Sequence, residues 1–234
     1  MASPRHPPSP AGRPFLPQPF PWQEVDTVLL DMDGTLLDKH FDDFFWEEYV
    51  PASFGRQQGL SLPAARTECL ARYRRQEGTL AWTDLDFWSQ ELGLDIPTMK
   101  GEIDHLIRIL PHVEEFLQHC RRLGRSLYLV TNAHPKTLAI KLGRAPIAEH
   151  FDRLVCSTEV GLAKEDQAFW QRLEIMLGFD RRRTLLADDT ERVLSAAAAH
   201  GIAWLVHIAR PSSNRPEQTS ALFPSVHSFA EIMP

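Results

Sequence analysis

The chain has 234 residues, of which 43% are apolar and 24% charged, with 18 prolines and three cysteines. Length and apolar content suffice for one large domain, or for a core with a smaller insertion, without disulfide or metal staples, and they exclude collagenous, coiled-coil and wholly disordered chains. The formal charge of −6 has the wrong sign for a protein that coats nucleic acid, and no run reaches the ~18 apolar residues of a membrane span.

Residues 1–21 hold eight of the prolines, with Arg5 and Arg13 and no acid. Prolyl backbone makes neither helix nor sheet ladder and buries little, so a disordered, polyproline-like tail is expected there. It lacks the apolar run of a signal peptide. Cys69, Cys120 and Cys156 are scattered without metal-ligand spacing, which points to reduced thiols and a cytoplasmic location.

From Trp22 onward, short apolar runs alternate with helical patterns. The runs are Thr27 to Leu30 before Asp31, Leu127 to Val130 before Thr131-Asn132, Leu154 to Cys156 before Ser157-Thr158, Leu185 to Ala187 before Asp188-Asp189, and Trp204 to Ile208. Three helices lie between them: one opened by Pro111 and closed by Gly124, one carrying Phe169, Leu173, Met176 and Leu177 before Gly178, and one from Glu191 to His200 before Gly201. Alternation of this kind predicts an α/β fold with a three-layer, Rossmann-like parallel sheet. Ligands of such sheets sit at the carboxyl ends of the strands, where these polar residues fall.

Residues 36–110 interrupt the rhythm. They offer helices near Asp42 to Tyr49, Pro63 to Gln76, Thr83 to Leu92 and Thr98 to Ile109, and no convincing strand. The expected organisation is therefore a tail over residues 1–21, an α/β core from residues 22–35 and 111–234, and an inserted helical cap over residues 36–110.

The most informative segment is Asp31-Met32-Asp33-Gly34-Thr35. Two carboxylates at i and i+2 point the same way as a strand ends, and Gly34 lets the backbone turn and a ligand come close. Taken singly, each motif has a plainer reading. Asp31-Met32-Asp33 is an acidic strand end, Thr131-Asn132 a turn, Lys164 a solvated charge and Asp188-Asp189 a helix N-cap. Their joint occurrence at successive strand ends favours a site.

In order and spacing, Asp31-Met32-Asp33-Gly34-Thr35, Thr131-Asn132, Lys164 and Asp188-Asp189 resemble the four motifs of the haloacid dehalogenase-like hydrolases. The runs Val25 to Asp31, Thr131 to Pro135 and Lys164-Glu165-Asp166-Gln167 are similar to those of bacterial purine 5′-nucleotidases acting on GMP and IMP. The resemblance covers Trp22 to the C-terminus. It implies a phosphoric monoester hydrolase with Asp31 as nucleophile, Asp33 as general acid and base, and Thr131, Asn132 and Lys164 holding phosphate. It also implies a metal held by Asp31, Asp189 and the Asp33 carbonyl, with Asp188 in the outer shell. Many members carry Pro after the motif lysine, where this chain has Glu165, which leaves two alternatives: a lysine loop that is set differently, or partial pairing of Glu165 with Lys164.

Elementary chemistry agrees with these roles. A carboxylate with a reference pKa of about 3.9 is ionised at neutral pH, so Asp31 attacks phosphorus without a base. Crowding by Asp31, Asp188 and Asp189 raises a neighbouring carboxyl and so prepares Asp33 to donate a proton. Carboxylates beside a phosphate dianion require a divalent cation, and oxygen-only ligands favour Mg²⁺.

Substrate choice falls to the cap. Phe41, Phe44 and Phe45, nearest in sequence to Asp31, are the first candidates for stacking on a purine, although helix packing explains such residues more simply. Asp38, His40, Asp42 and Asp43 are unassigned candidates for a base edge, and His134 either touches substrate or starts a helix. The expected partner is a small phosphate ester, a nucleoside monophosphate, with no nucleic acid and no membrane; the oligomeric state is left open. Two alternatives stand beside this reading: a phosphatase for a sugar phosphate or phosphoglycolate, and a non-enzymatic binding protein on the same core.

Overall fold

The computed structural model describes residues 15–234, with an all-parallel sheet through its middle. Strands β1 (Thr27–Leu30), β2 (Ser126–Thr131), β3 (Arg153–Cys156), β4 (Thr184–Asp188), β5 (Trp204–Ile208) and β6 (Ser225–Val226) lie in the order β3-β2-β1-β4-β5-β6. The helices are α1 (His40–Phe44), α2 (Val50–Gln58), α3 (Leu62–Gln76), α4 (Leu85–Leu92), α5 (Ile96–Glu102), α6 (Val113–Arg122), α7 (Pro135–Arg144), α8 (Ser157–Val160), α9 (Gln167–Leu177) and α10 (Glu191–His200).

Strand alternation divides the core between the two faces of the sheet. Val28 and Leu30 of β1, Leu129 of β2 and Ala187 of β4 belong to one apolar cluster, closed by Phe116 and Leu117 of α6. Leu29, Val130 and Leu186 belong to a second, closed by Phe169, Trp170 and Leu173 of α9 and by Leu194 of α10. The direction of strand order reverses between β1 and β4, and the crevice outside their carboxyl ends is the binding position of doubly wound sheets. Among the described residues, no helix is long and apolar enough to cross a membrane.

Helices α1 to α5 lie between β1 and β2, and their apolar residues, including Phe41, Phe54 and Trp88, join the cluster on the α6 face. The first runs further than the expected Asp42 to Tyr49: α1 continues through a π-helical turn, Phe45–Tyr49, into α2. Pro51 explains the wide turn, because its ring clashes with the carbonyl four residues back and it has no N–H to donate. The last is shorter than the expected Thr98 to Ile109. Its end is drawn away by hydrogen bonds to the loop after β1, from Asp38 N to Arg108 O at 2.9 Å and from Leu110 N to Leu36 O at 2.9 Å. Helix α6 begins at Val113 rather than Pro111, because His112 takes a left-handed backbone with φ of 64°.

Most of the expected tail lies outside the described residues, but its last part is packed. Leu16 and Phe20 are buried, and the Phe20 ring meets Trp22 and Trp204 edge-on at 5.0 and 5.4 Å. An extended prolyl backbone leaves apolar side chains free to pack, so the boundary at residue 21 is too late.

Candidate active site

The site assembles from the ends of β1, β2 and β4 and from the loop between α8 and α9, so Lys164 stands beyond α8 rather than at the expected strand end. After β1, the amide of Asp31 extends the ladder to Ala187 O at 3.1 Å. The chain then turns: Gly34 N donates to Leu37 O at 2.7 Å, while Leu36 N and Leu37 N both donate to Met32 O. Met32 is fully buried in the core, so Asp31 and Asp33 on either side of it both face the cavity. Gly34 is required twice over. Its φ is 87°, and a Cβ there would lie 2.6 Å from Asp189 Oδ2.

Lys164 ties three strands together. Its ammonium, 2% exposed, donates to Asp31 Oδ1 at 2.6 Å, to Asp188 Oδ2 at 2.7 Å and to Val130 O at 3.0 Å. The loop carrying it is held by Asn132, whose Oδ1 accepts from Lys164 N at 3.0 Å, and by the Trp170 indole, which donates to Lys164 O at 2.9 Å. Glu165 does not pair with Lys164; it accepts from Asn132 Nδ2 at 2.9 Å. The lysine already holds two carboxylates, and the glutamate instead fixes the orientation of the Asn132 amide. The Thr131 hydroxyl accepts from Ala133 N at 2.9 Å.

The acids follow the same logic. Asp188 Oδ1 accepts from Thr190 N at 2.9 Å, and Asp189 Oδ1 from the Thr190 hydroxyl at 3.2 Å, so both acids face the cavity and hold Thr190, which is itself the N-cap residue of α10. Asp189 Oδ2 accepts from Lys39 Nζ at 2.7 Å. Burial pushes Asp31 up to about 7, a rise that Asp188 and Asp189 reinforce and Lys164 opposes. Burial likewise pushes Asp33 up to about 6, with Lys141 opposing and Asp42 and Asp31 adding. Burial also raises Asp188.

Oxygens of Asp31, Asp188 and Asp189 lie within 4.8 Å of one another. Three carboxylates against the ammoniums of Lys164 and Lys39 leave a negative excess, and an arriving phosphate deepens it. An all-oxygen donor set with that excess fits a hard divalent cation.

Above the acids lies a cavity of about 390 Å³, in the range of ~300–1,000 Å³ usual for small-molecule sites. It brings together Asp31, Asp33, Thr131, Asn132, Lys164, Asp188 and Asp189. The aromatic wall differs from the one expected. Phe41 and Phe45 are at most 1% exposed and do not line the cavity, and Phe44 packs at 6.2 Å from Tyr49. Trp46, Tyr73, Trp82 and Trp88 line it instead. Asp38 accepts from His40 N and Ser213 N, both at 3.0 Å, and neither Asp38 nor His40 reaches the cavity. Asp42 and Asp43 do reach it, Asp43 already accepting from Ser212 Oγ at 2.9 Å. His134 lines the cavity and caps α7, its Nδ1 accepting from Lys136 N at 3.2 Å.

Sequence reasoning missed Lys39, Lys100 and Lys141. Lys141 left one signal: it falls three residues after Leu138 and four after Thr137, so the buried stripe of α7 ends in a charge.

Comparison with known proteins accords with the geometry. The family model for haloacid dehalogenase-like hydrolases matches residues 25–201. The chain is 38% identical over 213 residues to GMP/IMP nucleotidase YrfG of Escherichia coli strain K12, an alignment covering 91% of this chain and 96% of that one. It is 26% identical to (S)-2-haloacid dehalogenase of Pseudomonas sp. strain YL, over 69% of this chain and 73% of that one. Among solved structures, a HAD phosphatase from Thermococcus onnurineus superposes with a TM-score of 0.76 at 21% identity, covering 89% of this chain and 96% of that one.

Proposed function

The chain belongs to the haloacid dehalogenase-like hydrolase family, and from that membership we propose that it is a phosphomonoesterase that hydrolyses purine 5′-nucleotides, GMP and IMP, with Mg²⁺. The observation that carries this reading is Lys164 bridging Asp31 and Asp188 beneath a cavity with an aromatic wall. The nucleotide itself rests on the 38% identity to the Escherichia coli GMP/IMP nucleotidase.

In this reading the Asp31 carboxylate attacks phosphorus, and an Asp31–phosphate bond forms as the ester P–O bond breaks. Asp33 gives its proton to the leaving ester oxygen. It then takes a proton from the water that hydrolyses the aspartyl phosphate, returning phosphate and the free Asp31 carboxylate. Lys164, Thr131 and Asn132 hold the phosphoryl oxygens and stabilise their developing charge. Asp31, Asp189 and the Asp33 carbonyl would hold Mg²⁺, with Asp188 outside them, and the bound cation supplies positive charge against phosphate and carboxylates. Residues 36–110 act as a cap that closes the aromatic wall over the nucleoside. A cytoplasmic location goes with this reading, in keeping with three scattered cysteines.

The test is phosphate release from GMP, IMP, AMP, CMP, a sugar phosphate and phosphoglycolate, each with Mg²⁺ and with EDTA, with Asp31→Asn as control. Metal-dependent release led by GMP and IMP is expected. Release led by a non-nucleotide ester would discard the purine assignment and keep the chemistry, and no release from any ester would leave a binding protein on this core.

A further inference from the structure

Two lysines with no part in the chemistry above are each 1% exposed, Lys141 on α7 and Lys100 on α5, and of the two only Lys100 lines the cavity. Lys141 donates to the carboxylates of both Asp33 and Asp42. The other oxygen of Asp42 accepts from Lys100 Nζ at 2.9 Å. The result is an unbroken alternation, Asp33, Lys141, Asp42, Lys100, of two carboxylates and two ammoniums. It begins on the turn after β1, passes through a helix of the core and ends on two helices of the insert.

Phe41 and Phe45 complete it. The Lys100 ammonium lies 4.6 Å from the Phe45 ring centre and 4.9 Å from that of Phe41, and Lys141 lies 5.3 Å from Phe41. Both rings, suited by sequence position to stacking on a base, are spent on the two cations. An ammonium this deep keeps its charge only when its partners stay in place. The side chain of Asp33 is 24% exposed towards the cavity while that of Lys141 is 2%, so the lysine holds Asp33 from behind and leaves its front to substrate.

We propose that Lys141 is a positioning residue that aims Asp33 at the leaving oxygen, and that Asp42, by bridging Lys141 and Lys100, makes this aim depend on the helical insert being seated. The inference rests on the phosphomonoesterase reading and on the role of Asp33 within it. The step affected is one proton transfer, from the Asp33 carboxyl to the ester oxygen as the P–O bond breaks and the bond to Asp31 forms. Losing Lys141 frees the Asp33 side chain to rotate, and a donor misplaced by an ångström transfers its proton poorly.

An ester pair separates this from mere structural support. A nucleotide releases an alkoxide that needs the proton, whereas p-nitrophenyl phosphate releases a phenolate that leaves without it. The ratio kcat/KM reports events up to phosphoryl transfer and excludes later hydrolysis of the intermediate. Lys141→Gln and Asp42→Asn are each expected to lose on the order of 10–100-fold more in kcat/KM on the nucleotide than on the nitrophenyl ester, with melting followed alongside. In an Asp33→Asn background, Lys141→Gln should remove little further activity, because residues acting through one group are not additive.

An equal loss on both esters, or unchanged nucleotide turnover in Lys141→Gln, would overturn the proposal. If Lys141→Gln fails to fold, Lys141→Arg keeps the charge, alters the reach and carries the same comparison. A wild type inactive on nucleotides but active on another alkyl phosphate would sink the purine reading alone, and the ester pair would then use that phosphate. Inactivity on every ester would overturn both.

Discussion

Lys164 Nζ and Asp31 Oδ1 lie 2.6 Å apart although 133 residues separate them, in a pair whose side chains are 2% and 9% exposed. The contact joins the end of β1 to the loop between α8 and α9, and Asp188 shares the same ammonium at 2.7 Å.

Lys164→Met should therefore leave two buried carboxylates facing each other with no cation between them. Breaking a buried ion pair in this way costs about 3–5 kcal/mol, and at ~2–4 °C per kcal/mol for a chain of this size the melting temperature in EDTA should fall by roughly 6–20 °C. Mg²⁺ should recover part of the loss. An unchanged melting curve would mean that the pair contributes nothing to the fold.

Asp31→Asn keeps the shape of the nucleophile and removes its negative charge, relieving the crowd formed with Asp188 and Asp189. Turnover should disappear while the melting temperature stays close to wild type or rises. Phosphate release equal to wild type would refute Asp31 as the attacking group.

Removal of metal with EDTA should abolish phosphate release, and added Mg²⁺ should restore it. Asp189→Asn should raise the Mg²⁺ concentration for half-maximal activity about 10- to 100-fold, the scale seen when groups supporting a metal site are lost. An identical Mg²⁺ titration would remove Asp189 from the ligand set.

The two kinds of aromatic should behave differently. Trp82 lines the cavity and is 41% exposed. Trp82→Ala should raise KM for GMP by the ~1–3 kcal/mol of base stacking, roughly 5- to 150-fold, and leave a small phosphate ester unaffected. Phe45 is fully buried, so Phe45→Ala should cost about 3–5 kcal/mol of stability and depress all esters alike. Measuring KM and melting temperature for both variants checks this, and a GMP-selective effect of Phe45→Ala would place that ring against the base after all.

Strands β1 and β5 coincide with the runs read from sequence, because strands buried on both faces are continuous apolar stretches. The helices ending before Gly178 and Gly201 are equally legible, since each carries its own stop signal. Strand β6 escaped, being two residues long and meaningful only beside β5. The polar residues of the site were legible for a related reason. All but Lys164, which comes after α8, stand at the end of an apolar run, so a local pattern marks their place at a strand end.

The aromatic wall and the buried lysines needed the folded chain. Whether Phe45 or Trp46 faces the cavity is set by helical phase, and the π turn at Phe45–Tyr49 shifts that phase where local spacing predicts an ordinary helix. In sequence, Lys141 shows only as a charge at the end of the stripe of α7 that carries Thr137 and Leu138, with nothing to name its partners. Only when the insert sets Asp42 against it, 99 residues away in sequence, and Asp33 on its other side, 108 residues away, does the lysine become a buried bridge. Hydrophobic periodicity and turn chemistry are local, so the chain itself determines where strands, helices and their polar ends fall. The partners of a buried charge are set by long-range packing, which tertiary structure alone decides.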